Sequence, residues 1–189
     1  MARRIADLDA RDYQARVDIR VQLRARRQAC GWSQRKLGDR LGYDAANIRR
    51  LEREGVDQSF TVTVMRWARE LGTRLVLTPV GFPPPAPYYR NMIEAMAEAM
   101  ALAAPGEADD AAEVAGLIQQ LVGIRLACRV TQPQLAKQFG TTVQNVSLIE
   151  TAGSSTALVV LQRHARGIAR CAWRPDAHLA AHVEDTPLV

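Results

Sequence analysis

The chain has 189 residues, 48% of them apolar and 24% charged, with a formal net charge of +5; that balance describes a globular protein and excludes a disordered or collagen-like one. No apolar run approaches the ~20 residues of a membrane-spanning helix, and the opening Met1-Ala2-Arg3-Arg4-Ile5-Ala6-Asp7 reaches an acidic residue before any apolar segment of the kind a secretion signal uses. Cys30, Cys128 and Cys171 are far apart and odd in number, which argues against a disulfide framework or zinc spacing, so a reduced cytoplasmic protein with no cofactor and no metal is expected.

Charge is segregated. Residues 1–80 hold 17 Arg and Lys against 10 Asp and Glu, residues 81–115 hold 1 against 6, and residues 116–189 hold 7 against 4. Two basic lobes around an acidic connector favour polyanionic partners through counterion release.

In chain order, Ser33 is an N-cap for a short helix beginning Gln34-Arg35-Lys36-Leu37, and Gly42 supplies the positive φ of a tight turn after Leu41. A second helix follows, capped by Asp44, with Ile48 and Leu51 three apart on its inner face and small Gly38 at the crossing of the two helices. The run Gly81-Phe82-Pro83-Pro84-Pro85-Ala86-Pro87 cannot be helix interior and predicts a semi-rigid spacer. Beyond it, Tyr89, Met92, Ile93, Met96 and Met100 form one stripe of a packing helix over 88–104, which Pro105-Gly106 ends. The acidic Glu107-Ala108-Asp109-Asp110 then suits the first turn of another helix.

After that connector the first pattern returns. Residues 23–52 align with 121–150 without a gap, 98 positions apart, and nine of the 30 positions are identical: Leu23/Leu121, Arg27/Arg125, Ala29/Ala127, Cys30/Cys128, Gln34/Gln132, Leu37/Leu135, Gly42/Gly140, Asn47/Asn145 and Glu52/Glu150. Thr131 and Gln134 form a capping-box pair, Pro133 sits in the first turn where its missing N–H is harmless, and Thr142 caps the following helix. The likeness resumes one deletion later, with Arg66-Trp67-Ala68-Arg69 over Arg163-His164-Ala165-Arg166. Past Pro175 no pattern is evident, and residues 180–189 are expected to be poorly ordered.

Each unit resembles the Cro/phage-repressor (xenobiotic-response-element) type of helix-turn-helix, whose pattern is a hydroxyl residue, Gln, two variable residues, Leu, a small residue, then Leu-Gly and a recognition helix ending Ile-Glu. The motifs cover 33–52 and 131–150. The resemblance implies an all-α fold of two tandem five-helix lambda-repressor-like domains: a first domain over 1–80, a Pro-rich linker and extra helix over 81–111, a second domain over 112–175 and a tail over 176–189. Val64 to Gly72 followed by Arg74-Leu75-Val76-Leu77 is similar to the last helix and strand of antitoxin-type members, which implies a short strand after the first domain. It also implies ion pairs joining Arg27 to Glu52 and Arg125 to Glu150.

The same resemblance places double-stranded DNA against the recognition helices. In the first unit the readers are Asp44, Ala45, Ala46, Asn47, Arg49 and Arg50, with Gln34, Arg35 and Arg53 on phosphates; in the second they are Thr142, Val143, Gln144, Asn145, Ser147 and Leu148, with Gln132 on a phosphate. The chemistry suits base edges, since Arg pairs with guanine, Asn and Gln with adenine, and Ala or Val touches a thymine methyl. Because Arg49 and Arg50 stand where the other unit has Ser147 and Leu148, a monomeric pseudo-dimer reading an asymmetric operator is expected, against a homodimer joined through the strand. A nucleoid-associated repressor of phage or prophage immunity type leads. The alternative is an antitoxin-like regulator that binds DNA with one domain and a toxin-like protein with the other. No enzyme is expected: the sequence has no P-loop, dinucleotide fingerprint or Gly-x-Ser-x-Gly elbow, and His164, His178 and His182 lack ligand spacing.

Overall fold

The computed structural model describes residues 2–54, 61–101, 107–151 and 156–185. Along them run α1 (Ala2–Ala29), α2 (Gln34–Leu41), α3 (Ala45–Glu54), α4 (Thr61–Glu70), β1 (Thr73–Val80), α5 (Pro87–Ala101), α6 (Glu107–Ala127), α7 (Gln132–Phe139), α8 (Val143–Thr151), α9 (Leu158–Cys171) and β2 (His178–Asp185). Helices dominate, but the fold is not all-α, and among the described residues each half carries four helices and a strand where five helices were expected. The stretch Pro105-Gly106, the side chains of Met96 and Met100, and residues 186–189 of the tail lie outside what is described.

Helical periodicity sets the inner faces. On α1 the buried positions are Asp12, Arg16, Ile19, Leu23 and Arg27, spaced by three and four; on α6 they include Asp110, Val114, Leu117, Leu121 and Arg125, each 98 positions on. Leu37, Leu41, Ile48, Val64 and Trp67 complete the core beside α1, and Leu135, Val146, Leu161 and Ile168 the one beside α6. The two merge into a single buried apolar cluster.

The tail is where expectation and structure part most. Residues 178–185, expected partly loose, form β2, which pairs antiparallel with β1 from Thr73 opposite Asp185 to Val80 opposite His178. Alternation puts Leu75 inward on β1, and Leu179 and Ala181 inward on β2. β2 packs on α1 as well as on α9, so the end of the second half is built into the first.

Reciprocal polar contacts reinforce this join. Arg69 Nη1 lies 2.6 Å from Asp110 Oδ1, and Arg166 Nε lies 2.7 Å from Asp12 Oδ2. Arg16 Nη1 donates to Gln162 Oε1 at 2.6 Å, and the N–H and hydroxyl of Thr61 both donate to the Thr156 carbonyl, at 3.0 and 2.7 Å.

In the connector, α5 covers most of the packing helix expected over 88–104, α6 begins at Glu107 where the acidic first turn was expected, and the two helices pack on each other. Gly123 makes that approach possible: a Cβ there would lie 2.7 Å from Tyr89 Cβ and 2.8 Å from Pro85 Cβ.

Candidate nucleic-acid interface

Local chemistry positions α2 and α3. Ser33 Oγ accepts from Lys36 N–H at 3.0 Å at the start of α2, and Gly42, at φ 72°, closes it in the left-handed region. The Tyr43 N–H then donates to Gly38 O at 2.8 Å, and Asp44 Oδ1 accepts from Asn47 N–H at 2.6 Å as α3 begins. A Cβ on Gly38 would stand 2.4 Å from the Tyr43 carbonyl oxygen, so the turn is folded against this glycine.

A buried polar network fixes the far end of α3. Arg27 donates from Nε to Glu52 Oε1 at 2.5 Å and from Nη2 to Oε2 at 3.0 Å, while its Nη1 donates to the Trp32 carbonyl. Gln34 Nε2 adds a bond to Glu52 Oε2 at 2.8 Å. Both charged partners are buried, which such a pair tolerates only when its remaining hydrogen-bonding capacity is met. Gln34 therefore holds α3 through Glu52, a structural role beyond the phosphate contact expected of it.

The corresponding geometry recurs around α7 and α8. Thr131 and Gln134 exchange capping-box bonds, Gly140 closes α7 at φ 63°, and Thr142 Oγ1 accepts from Asn145 N–H at 3.2 Å. Arg125 donates to Glu150 from Nε and Nη2 at 2.7 and 2.9 Å and to Val130 O at 2.8 Å, and Gln132 Nε2 donates to Glu150 Oε2 at 2.9 Å. Here His164 occupies the place of Trp67, and its Nε2 lies 3.4 Å from Glu150 Oε1.

Burial opposes ionisation of Glu150, yet the close approach of His164, the bonds from Arg125 and Gln132 and the charge of Arg125 outweigh it and bring the carboxyl from its ordinary 4.5 to about 2. A carboxylate held below its unfolded value contributes stability above pH 4.5 that fades as the pH falls through about 2. Unfolding free energies measured between pH 6 and 2 should fall across that window by on the order of 3 kcal/mol from this group. Glu150→Gln should remove that share of the slope, and a variant with the parent's slope would refute the assignment.

The outward residues differ sharply between α3 and α8. Ala46, Arg49 and Arg50 are exposed on α3, as are Arg35 on α2 and Arg53 at the end of α3; Ala45 and Asn47 are half-buried. On α8, Gln144 is exposed, Ser147 is half-buried, and the apolar Val143 and Leu148 are 38% and 62% exposed. Asp44 and Thr142 serve as helix caps, and the Asn145 amide is engaged by Thr141 Oγ1 at 2.9 Å. Beside α3, Arg20 of α1 donates from Nη1 to Arg53 O at 2.8 Å, and Arg24 lies one turn further along α1. Neither was among the residues expected at the interface; their i, i+4 spacing flanking inward Leu23 was the available signal.

Among the described residues, no group of three or more His, Cys, Asp and Glu side chains is placed to hold a metal ion, and no single helix is long and apolar enough to cross a membrane. A family model described as a helix-turn-helix domain matches residues 18–73, from the middle of α1 to the start of β1. The match supports a helix-turn-helix family for that stretch and points to a regulator that binds double-stranded DNA. No curated protein and no solved structure matches the chain.

Proposed function

We propose that the chain is a sequence-specific transcriptional regulator, a repressor of phage or prophage immunity type that occupies a promoter with two tandem helix-turn-helix units of the Cro/phage-repressor type. The observation that carries this reading is α3: a helix fixed from within by Arg27, Gln34 and Glu52, and presenting exposed Arg49 and Arg50 to the outside. Arginines so displayed suit guanine edges and phosphates in a major groove. Arg35 and Arg53 extend the cationic surface, and Asn47 adds an adenine-compatible amide. Thr142, which caps α8, and Val143, Gln144, Asn145 and Ser147 on it are the weaker, uncharged counterpart.

The two units act as one pseudo-dimer. Support comes from the β1–β2 ladder within the chain and from the reciprocal Arg69–Asp110 and Arg166–Asp12 bridges. A conventional dimer sets two identical readers about one helical turn, ~34 Å, apart on a near-palindrome. Unlike readers call for an operator with unlike halves. Selecting duplexes from a random pool, footprinting the winner and weighing the complex by light scattering tests this directly. One chain on an asymmetric site is the expected result; two chains on a palindrome overturn the pseudo-dimer, and equal affinity for selected and unrelated duplexes overturns sequence-specific binding.

The exposed Leu148 and Val143 favour one second reading, an antitoxin-like regulator whose α8 docks a toxin-like protein. In that case Leu148→Glu abolishes the complex with the co-expressed toxin and leaves DNA affinity intact.

A further inference from the structure

Between α1 and α3 lies a cleft of about 580 Å³ lined by Arg20, Arg24, Gln28, Gln34, Arg49 and Arg53. Glu52, the one carboxylate among its described lining residues, is taken by Arg27. Three guanidinium groups, those of Arg20, Arg24 and Arg49, thus face a common space, and no unengaged carboxylate stands among its described lining residues. Arg24 and Arg49 make no hydrogen bond or ion pair among the described residues, and Arg20 gives an N–H to the Arg53 carbonyl, tying α1 to the end of α3.

We infer that this cleft binds phosphate groups of the DNA backbone beside the recognition helix, with Arg20 and Arg24 of α1 as ligands opposite Arg49 and Arg53; the inference rests on the DNA-binding reading of α3. Arg20 and Arg24, like Arg49 and Arg53, are four residues apart and so share a helix face. Arg20 and Arg24 on one side and Arg49 on the other offer planar donor forks matched to phosphate oxygens. Gathering like charges raises the local potential, and a polyanion relieves that repulsion.

The fold does not itself require these charges. Ninety-eight positions on, Arg20 and Arg24 become Ile118 and Val122, both buried, and Arg49 and Arg53 become Ser147 and Thr151. Ala25, at the cleft wall, becomes Gly123, against which Pro85 and Tyr89 are packed. The second half thus places the chain's own linker and α5 against the helix face that the first half leaves open and cationic. The charged cleft belongs to the half whose recognition helix carries arginines, where a duplex seated on α3 runs its backbone past it.

The test uses the full chain with Arg24→Gln and Arg20→Gln/Arg24→Gln, compared with Arg50→Ala, on a selected and an unrelated duplex across a salt series. Each lost phosphate contact should lower the slope of log K against log salt by about 0.9 and weaken both duplexes by the same factor. Arg24 is exposed and without a partner among the described residues, so its variant probes the contact without disturbing the fold. Unchanged slopes in both variants, with Arg50→Ala still impairing the selected duplex, overturn the cleft and leave α3 as the reader. A parent chain with no preference for the selected duplex, and variants that match it on both, overturn the cleft and the reading of α3 together. Inorganic phosphate added alone addresses the other source of the same chemistry: a melting-temperature rise in the parent that Arg24→Gln abolishes, with the DNA salt slope unchanged, makes a free phosphate the occupant and overturns the backbone assignment.

Discussion

Glu52→Ala is expected to destabilise the protein by about 3–5 kcal/mol, because it strands a buried guanidinium rather than merely removing a contact. Arg27 is 7% exposed and directs Nε and Nη2 at the two oxygens of Glu52, and Gln34 aims its amide at the same carboxylate. Truncation leaves a desolvated cation and an unpaired amide donor, and frees the end of α3 from α1 and α2. The double variant Arg27→Met/Glu52→Leu removes both charges and should recover most of the loss, since well-packed apolar replacements of buried ion pairs are often neutral or stabilising. Urea unfolding of the two variants checks this. A midpoint for Glu52→Ala close to the parent's would show that the bridge is relaxed in solution and does not hold the recognition helix.

Arg49→Ala/Arg50→Ala should lower affinity for the selected duplex more than any substitution on α8. A lost bidentate base contact costs about 1–3 kcal/mol and relaxes preference at one base pair. A lost phosphate contact weakens every sequence and lowers the salt dependence by about one. Arg50 lies outside the cleft, and Arg49 lines it. Hence Arg50→Ala is expected to narrow the gap between selected and unrelated duplexes, and Arg49→Ala to weaken both. Ser147→Ala on the uncharged α8 provides the comparison. If the arginine variants bind like the parent at every salt concentration while Ser147→Ala does not, the assignment of α3 as the dominant reader is wrong.

The sequence by itself determined the parts of this protein that local rules control. Ser33, Thr131, Gly42 and Gly140 mark helix ends because side-chain oxygens satisfy free N–H groups and glycine accepts positive φ at little cost. The inward spacing of Ile48 with Leu51, and of Val146 with Ile149, marks the covered sides of the recognition helices. A repeat 98 residues apart made Arg27 with Glu52, and Arg125 with Glu150, stand out among many charged residues. Their partnership came from the family resemblance, and their distances only from the structure.

Tertiary structure alone decided how the halves join. Residues 178–185 lack a turn or an unmistakable alternation to mark them as a strand; their partner is β1, more than 90 residues earlier, and the pairing exists only once both halves are folded. Asp12 and Asp110 were visible as charged residues on helices, but their burial follows from α4 and α9 bringing Arg69 and Arg166 to them. The cationic cleft is of the same kind. Arg20 and Arg24 precede Arg49 and Arg53 by 25 to 33 positions, and no local rule links them. They come together because Leu23 and Ile48 enter one core, and an arginine's neighbours are set by which apolar side chains beneath it are buried against each other.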